Sequence, residues 1–214
     1  TSRLDVSDYL LLVARTKPKA EVDKKTDGIS MLLVDVEDAK SQDALEMKSI
    51  DKTSTNLSGA FEVWLEDLRV PAGNIIGEEH KGFYSLLDGL NDERLVIAAE
   101  CIGHAKLAID RAAEYADERE VFDRQIGSNQ AIQHPLAEAY MRTLSVKQTV
   151  YRTAEMMDSL DRQQVGTLAN SSNYLASEVA FDASDAAVQT FGGFGIAREY
   201  DVERLFRDAR LAKI

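Results

Sequence analysis

Between Gly89 and Ala105 the sequence runs GLNDERLVIAAECIGHA, placing Asp92, Glu93 and Arg94 directly before an almost wholly apolar run. Two kinds of chemistry suit such a triplet. In the first turn of a helix, Asp92 and Glu93 would simply gain the stabilisation that carboxylates find at the positive end of the helix dipole. At the edge of a closed apolar site, a carboxylate has its charged form disfavoured and its basicity raised, which suits Glu93 to taking a proton from carbon. Periodicity does not choose between them.

Two further strings carry ligand-binding residue types. YADEREVFDRQIGSNQAIQHPLAEAY places Arg119, Phe122 and Gln130 along a helix end and the turn after it. On chemistry alone, Arg119 is equally an exposed cation favoured at a helix C-terminus. VQTFGGFGIAREY sets Gln189 ahead of Gly192 and Gly193, where paired glycines let backbone amides approach a ligand closely. The alternative there is a helix C-cap with a left-handed glycine. No strand precedes the glycines and their spacing is not that of a dinucleotide fingerprint. His104 follows Glu100 by one helical turn and reads as a local pair; three scattered histidines give no metal ligand set.

The elements that must position these residues change type along the chain. SDYLLLVART, GISMLLVDV and SGAFEVWLEDLRVP are apolar runs or period-2 alternations, hence strands; in the last, Phe61, Val63 and Leu65 face away from Glu62, Trp64 and Glu66. TKPKAEVDKKTDG is a solvated hairpin loop. Beyond it, apolar residues recur at helical spacing over 83–119, with one irregular step near Asn91. A second helix opens near Ser128 or Asn129 as cap and is bent early by Pro135. A third covers 165–191, and a short fourth covers EYDVERLFRDAR. The expected fold is α+β: a small antiparallel β domain at 1–75, then an antiparallel helical bundle at 76–214.

Composition removes several function classes. A net charge of -12 disfavours nucleic acid, and no apolar run is long enough to span a bilayer. The single cysteine, Cys101, excludes an internal disulfide and suits a reducing cytoplasm. Both ends look cut, so the chain is expected to be part of a longer polypeptide.

Taken in order, SDYLLLVART, VWLEDLRVPAGNIIGEEHKGF, NDERLVIAAECIG, YADEREVF, NQAIQHPLAEAY and VQTFGGFGIAREYDVERLFRDAR resemble the acyl-CoA dehydrogenase family, specifically its middle β domain and C-terminal bundle. The resemblance implies bound FAD and removal of the α-hydrogen of an acyl-CoA as a proton. It implies transfer of the β-hydrogen to the flavin as hydride, reoxidation by an electron-transfer flavoprotein, and a homodimer or homotetramer. It assigns Arg119, Phe122 and Gln130 to FAD contacts across a subunit interface, and Gln189, Gly192 and Gly193 to its pyrophosphate region. Ser2 falls beside the flavin ring, and Asn91 and Arg94 near the acyl-CoA. Of the two places where the family keeps its base, this sequence holds a glutamate at one, Glu93. Asp123 departs from the family pattern, which usually has glycine after the phenylalanine. A flavin oxidase or monooxygenase on the same scaffold, or a non-catalytic helical partner subunit, are the competing expectations.

Overall fold

The computed structural model describes residues 1–214, which pack as two compact units, Thr1–Leu90 and Asn91–Ile214. In the first unit, β1 (Tyr9–Arg15) and β2 (Ile29–Asp35) pair antiparallel with Leu11 opposite Leu33. The intervening loop is stapled by Arg15, whose guanidinium donates to the carbonyls of Lys17, Lys25 and Asp27 at 3.2, 2.7 and 3.0 Å. A short helix α1 (Val36–Ser41) follows, its N-cap Asp35 accepting from the Asp38 amide at 3.0 Å. Next come β3 (Leu45–Ser49) and β4 (Phe61–Leu65), paired antiparallel with Met47 opposite Val63. In β4, Phe61, Val63 and Leu65 are half-buried while Glu62 and Trp64 are exposed, which is the alternation of the sequence. The two-residue β5 (Ile75–Ile76) completes the first sheet, in the order β1-β2-β5.

Neither α1 nor β3 follows from the apolar pattern. α1 is only six residues and mostly polar, and β3, LEMKS, carries too few apolar side chains to read as a strand by itself.

Helix α2 (Gly82–Glu118) begins in the first unit and runs on into the second. Gly82 is needed there because a Cβ would stand 2.4 Å from the Met31 amide nitrogen, inside van der Waals contact with β2. A tight hairpin of β6 (Glu120–Val121) and β7 (Arg124–Gln125) then leads to α3 (Gln130–Met156), α4 (Arg162–Phe191) and α5 (Asp201–Ala212). The helices share an alanine-rich core: Ala105, Ala108 and Ala112 of α2 pack with Leu136 of α3, Ala183 and Ala187 of α4, and Leu205 of α5. Small side chains let the helix axes approach closely, so packing rather than bulk supplies the contact. Buried hydroxyls are satisfied locally, as where Thr143 donates to the Ala139 carbonyl and Ser184 to that of Ala180, each one turn back. No helix is long and apolar enough to cross a membrane.

Three local expectations are corrected. Asp92 and Glu93 do not open a helix: α2 starts at Gly82, so they sit in its interior, where the N-terminal dipole gives little. Asn129 is the N-cap residue of α3, but its side chain accepts from Arg124 at 2.7 Å and donates to the Ile126 carbonyl instead of capping. His104 pairs not with Glu100 but with the Leu205 carbonyl of α5, 2.7 Å from Nε2. Pro135 lies within α3, which continues through it to Met156.

Candidate functional site

Two groups of the sequence-selected residues lie at opposite ends of the bundle. Where α2 ends and α4 ends, Arg119, Gly192 and Gly193 line one open hollow of about 590 Å³. Its apolar wall is Phe191 and Tyr115, stacked at 4.0 Å between ring centroids and 14° between planes, with Phe194 at the rim. Tyr200 meets both stacked rings edge-on, at 6.1 and 5.3 Å. Phe191 belongs to the buried core cluster as well as to the wall, and Tyr115 packs against that cluster.

The glycines do two different jobs. Gly192 terminates α4 at φ 61°, ψ -133°, its amide donating back to the carbonyls of Val188 and Gln189, so the helix-cap reading holds in part, with ψ far from left-handed helix. No atom lies within 4 Å of where a Cβ would stand on Gly192 or Gly193, so their backbone is open to a ligand. Gly195 is structural instead: a Cβ would come within 2.4 Å of the Val188 carbonyl oxygen.

The β6–β7 hairpin forms another side of the hollow through Val121. Its two turn residues, Phe122 and Asp123, both have positive φ, 55° and 61°, the arrangement of the tightest hairpins, where glycine or asparagine is favoured. Phe122 is 93% exposed in that strained position. The Ile126 amide closes the hairpin base on the Arg119 carbonyl at 2.9 Å. Gln130, first residue of α3, and Gln189, in the last turn of α4, are both exposed.

At the other end, Asn91 is buried while Arg94, one turn on, donates from Nη1 to Asn91 Oδ1 at 3.0 Å. Gly166 of α4 faces the same oxygen; a Cβ there would be 3.9 Å from it. Glu93 and Asp92 are exposed, and no hydrogen bond or ion pair engages either carboxylate. Ser2 lies in the first unit, where it bridges antiparallel to Ala60. At 1.5 Å per helical residue, Glu93 and Arg119, which directly follows the end of α2, are about 39 Å apart along the helix axis.

Residues 80–214 match the family described as acyl-CoA dehydrogenase, C-terminal domain. The chain belongs to the acyl-CoA dehydrogenase family. It is 32% identical to subunit CarC of the caffeyl-CoA reductase–Etf complex of Acetobacterium woodii, over 100% of this chain and 59% of that protein. Cyclohexane-1-carbonyl-CoA dehydrogenase of Geobacter metallireducens is 32% identical over 98% of this chain and 52% of its own length. Among acyl-CoA dehydrogenase structures, butyryl-CoA dehydrogenase from Megasphaera elsdenii matches with a TM-score of 0.90 at 29% identity, covering 100% of this chain and 53% of that one. The chain thus spans somewhat over half the length of the curated relatives it matches.

The donors and apolar surface of the hollow fit a phosphate-bearing aromatic cofactor such as FAD, with which one related structure is complexed. The hollow offers open glycine backbone, the Arg119 guanidinium and aromatic surface in one place.

Proposed function

We propose that this chain is part of an enzyme that α,β-dehydrogenates an acyl-CoA thioester to a trans-2-enoyl-CoA with FAD, passes the electrons to an electron-transfer flavoprotein, and works as a homodimer or homotetramer. The observation that carries the reading is the convergence of Arg119, Gly192 and Gly193 on one hollow, although they come from distant parts of the sequence. Bound FAD supplies the hydride acceptor.

The residues divide the remaining work. Arg119 neutralises phosphate charge, and the Gly192–Gly193 backbone lets the cofactor lie close. Phe122, Gln130 and Gln189 meet the cofactor from the exposed hairpin and helix ends, and Ser2 is the residue that the family resemblance sets beside the flavin ring. Glu93 accepts the α-proton, and no protein group competes for its carboxylate. Arg94, tethered to Asn91, orients the acyl-CoA on the same helix face region. Because the length of α2 sets Glu93 about 39 Å from Arg119, farther than one extended flavin dinucleotide reaches, each catalytic site draws these two residues from different copies of the chain.

Anaerobic titration with an acyl-CoA tests the reading. The full-length protein should carry flavin that bleaches on addition of substrate, whereas Glu93→Gln should retain the flavin and fail to bleach. Undiminished bleaching in that variant would move the base elsewhere, and a wild-type protein that takes up no flavin would make it a non-catalytic partner.

A further inference from the structure

The hairpin that edges the hollow carries a charge of the wrong sign for its proposed ligand. Over 117–124 the sequence is DEREVFDR, four carboxylates against two guanidiniums, and Arg124 is turned toward Asn129 at 2.7 Å. Asp123 is the one of the four carboxylates that stands in the turn itself. It occupies the second place of the two-residue turn at φ 61°, the hairpin base is closed by the Ile126–Arg119 bond, and no hydrogen bond or ion pair engages its side chain. It follows Val121, which lines the hollow, by two residues, so its Cα lies within about 7 Å of that wall's backbone. That distance is below the Debye length of about 8 Å at physiological salt, so the charge is only partly screened there.

We infer that Asp123 loosens the hold on the dinucleotide cofactor, its carboxylate opposing the pyrophosphate at low salt by an amount that fades as ionic strength rises. This rests on the reading of the hollow as an FAD site and adds to it a residue that tunes affinity. Asparagine has the same shape and tolerates positive φ at least as well, so Asp123→Asn removes the charge and keeps the turn.

The test is FAD binding to flavin-stripped full-length protein, read by flavin fluorescence, without turnover. Charges about 7–10 Å apart in water predict that Asp123→Asn binds FAD about threefold more tightly than wild type near 0.02 M salt, with the gap closing by about 0.5 M. Asp158→Asn, an equal change in net charge at the far end of α3, should leave affinity unaltered; an equal gain there would overturn a local effect and the inference with it. Equal affinity of Asp123→Asn and wild type at low salt would overturn the inference while leaving the FAD site standing. Absence of FAD uptake by wild type at every salt would instead overturn the site itself, and this inference with it.

Discussion

The Arg94 guanidinium is tied to the Asn91 side chain at 3.0 Å, one turn back along α2, and Asn91 is in turn covered by α4 at Gly166. A long, flexible cation is thereby fixed to a buried amide, which limits where its free nitrogens can point. Asn91→Ala removes that acceptor and leaves a small void. Stability should fall by about 1–2 kcal/mol, and the KM for acyl-CoA should rise more than kcat falls, because orientation rather than proton transfer is lost. Thermal melts and steady-state kinetics with the same substrate check both.

Gly166 itself is open to improvement. An added Cβ would lie at ordinary contact distance, 3.9 Å, from Asn91 Oδ1, and the residue sits inside a helix. Gly166→Ala should therefore stabilise the fold by about 0.5–1 kcal/mol through helix propensity. A lower melting temperature would show that α2 and α4 approach more closely than this geometry allows.

Gly193 and Gly195 separate ligand approach from folding. Gly195→Ala drives a Cβ against the Val188 carbonyl at 2.4 Å, backbone against backbone, and should cost about 2–3 kcal/mol or more. Gly193→Ala meets nothing and should melt like wild type. If its FAD affinity nevertheless drops, the backbone there lies against the cofactor; unchanged affinity would remove Gly193 from the site.

Cys101 is buried between helices, and that burial, followed by the neighbouring Glu100 carboxylate, pushes its thiol up from 9.0 to about 11. The neutral thiol is thus favoured by the fold. Its contribution is fully present below about pH 9 and is lost as pH rises toward about 11, because the unfolded chain releases the proton first. The loss across that window is on the order of 2 kcal/mol. Cys101→Ala should abolish this part of the alkaline decline while costing about 1 kcal/mol at neutral pH, as measured by denaturant unfolding across the pH series. Thiol reagents should label wild type only as fast as it opens.

What could be read from the sequence tracks the length and regularity of each signal. The four bundle helices were legible because apolar residues recur at helical spacing over many turns, and β1, β2 and β4 because alternation or a dense apolar run marks them. The start of α4 was placed late, at 165, although Asp161 and Gln164 form a capping box that marks Arg162 as its first residue. α1 and β3 were missed because short polar segments take their form from neighbours rather than from their own pattern. At the site, residue spacing alone left Arg119 and the glycines open and only the family resemblance singled them out, and no pattern in the sequence shows that Phe191 and Tyr115 stack beside them. Helical spacing over 83–119 does put Asp92 and Glu93 inside one helix, and the irregular step at Asn91 is a buried amide rather than a break.

The separation of Glu93 from Arg119 makes a prediction about assembly that neither residue makes alone. If each site takes its base from one copy and its phosphate cation from another, Glu93→Gln and Arg119→Glu are lesions that different chains can complement. Each variant by itself should be inactive, the first retaining flavin and the second losing it. In a mixed two-fold dimer, one site would collect both lesions and the other would be intact. The isolated mixed dimer then shows about half of wild-type activity, and the unseparated random mixture about a quarter. If both residues served a site within one chain, every chain in the mixture would still carry a lesion and activity would stay at zero. Co-expression of the two variants with distinguishable tags, isolation of the mixed species and an acyl-CoA bleaching assay decide between these outcomes, and a mixed dimer without activity would return both residues to a single-chain site.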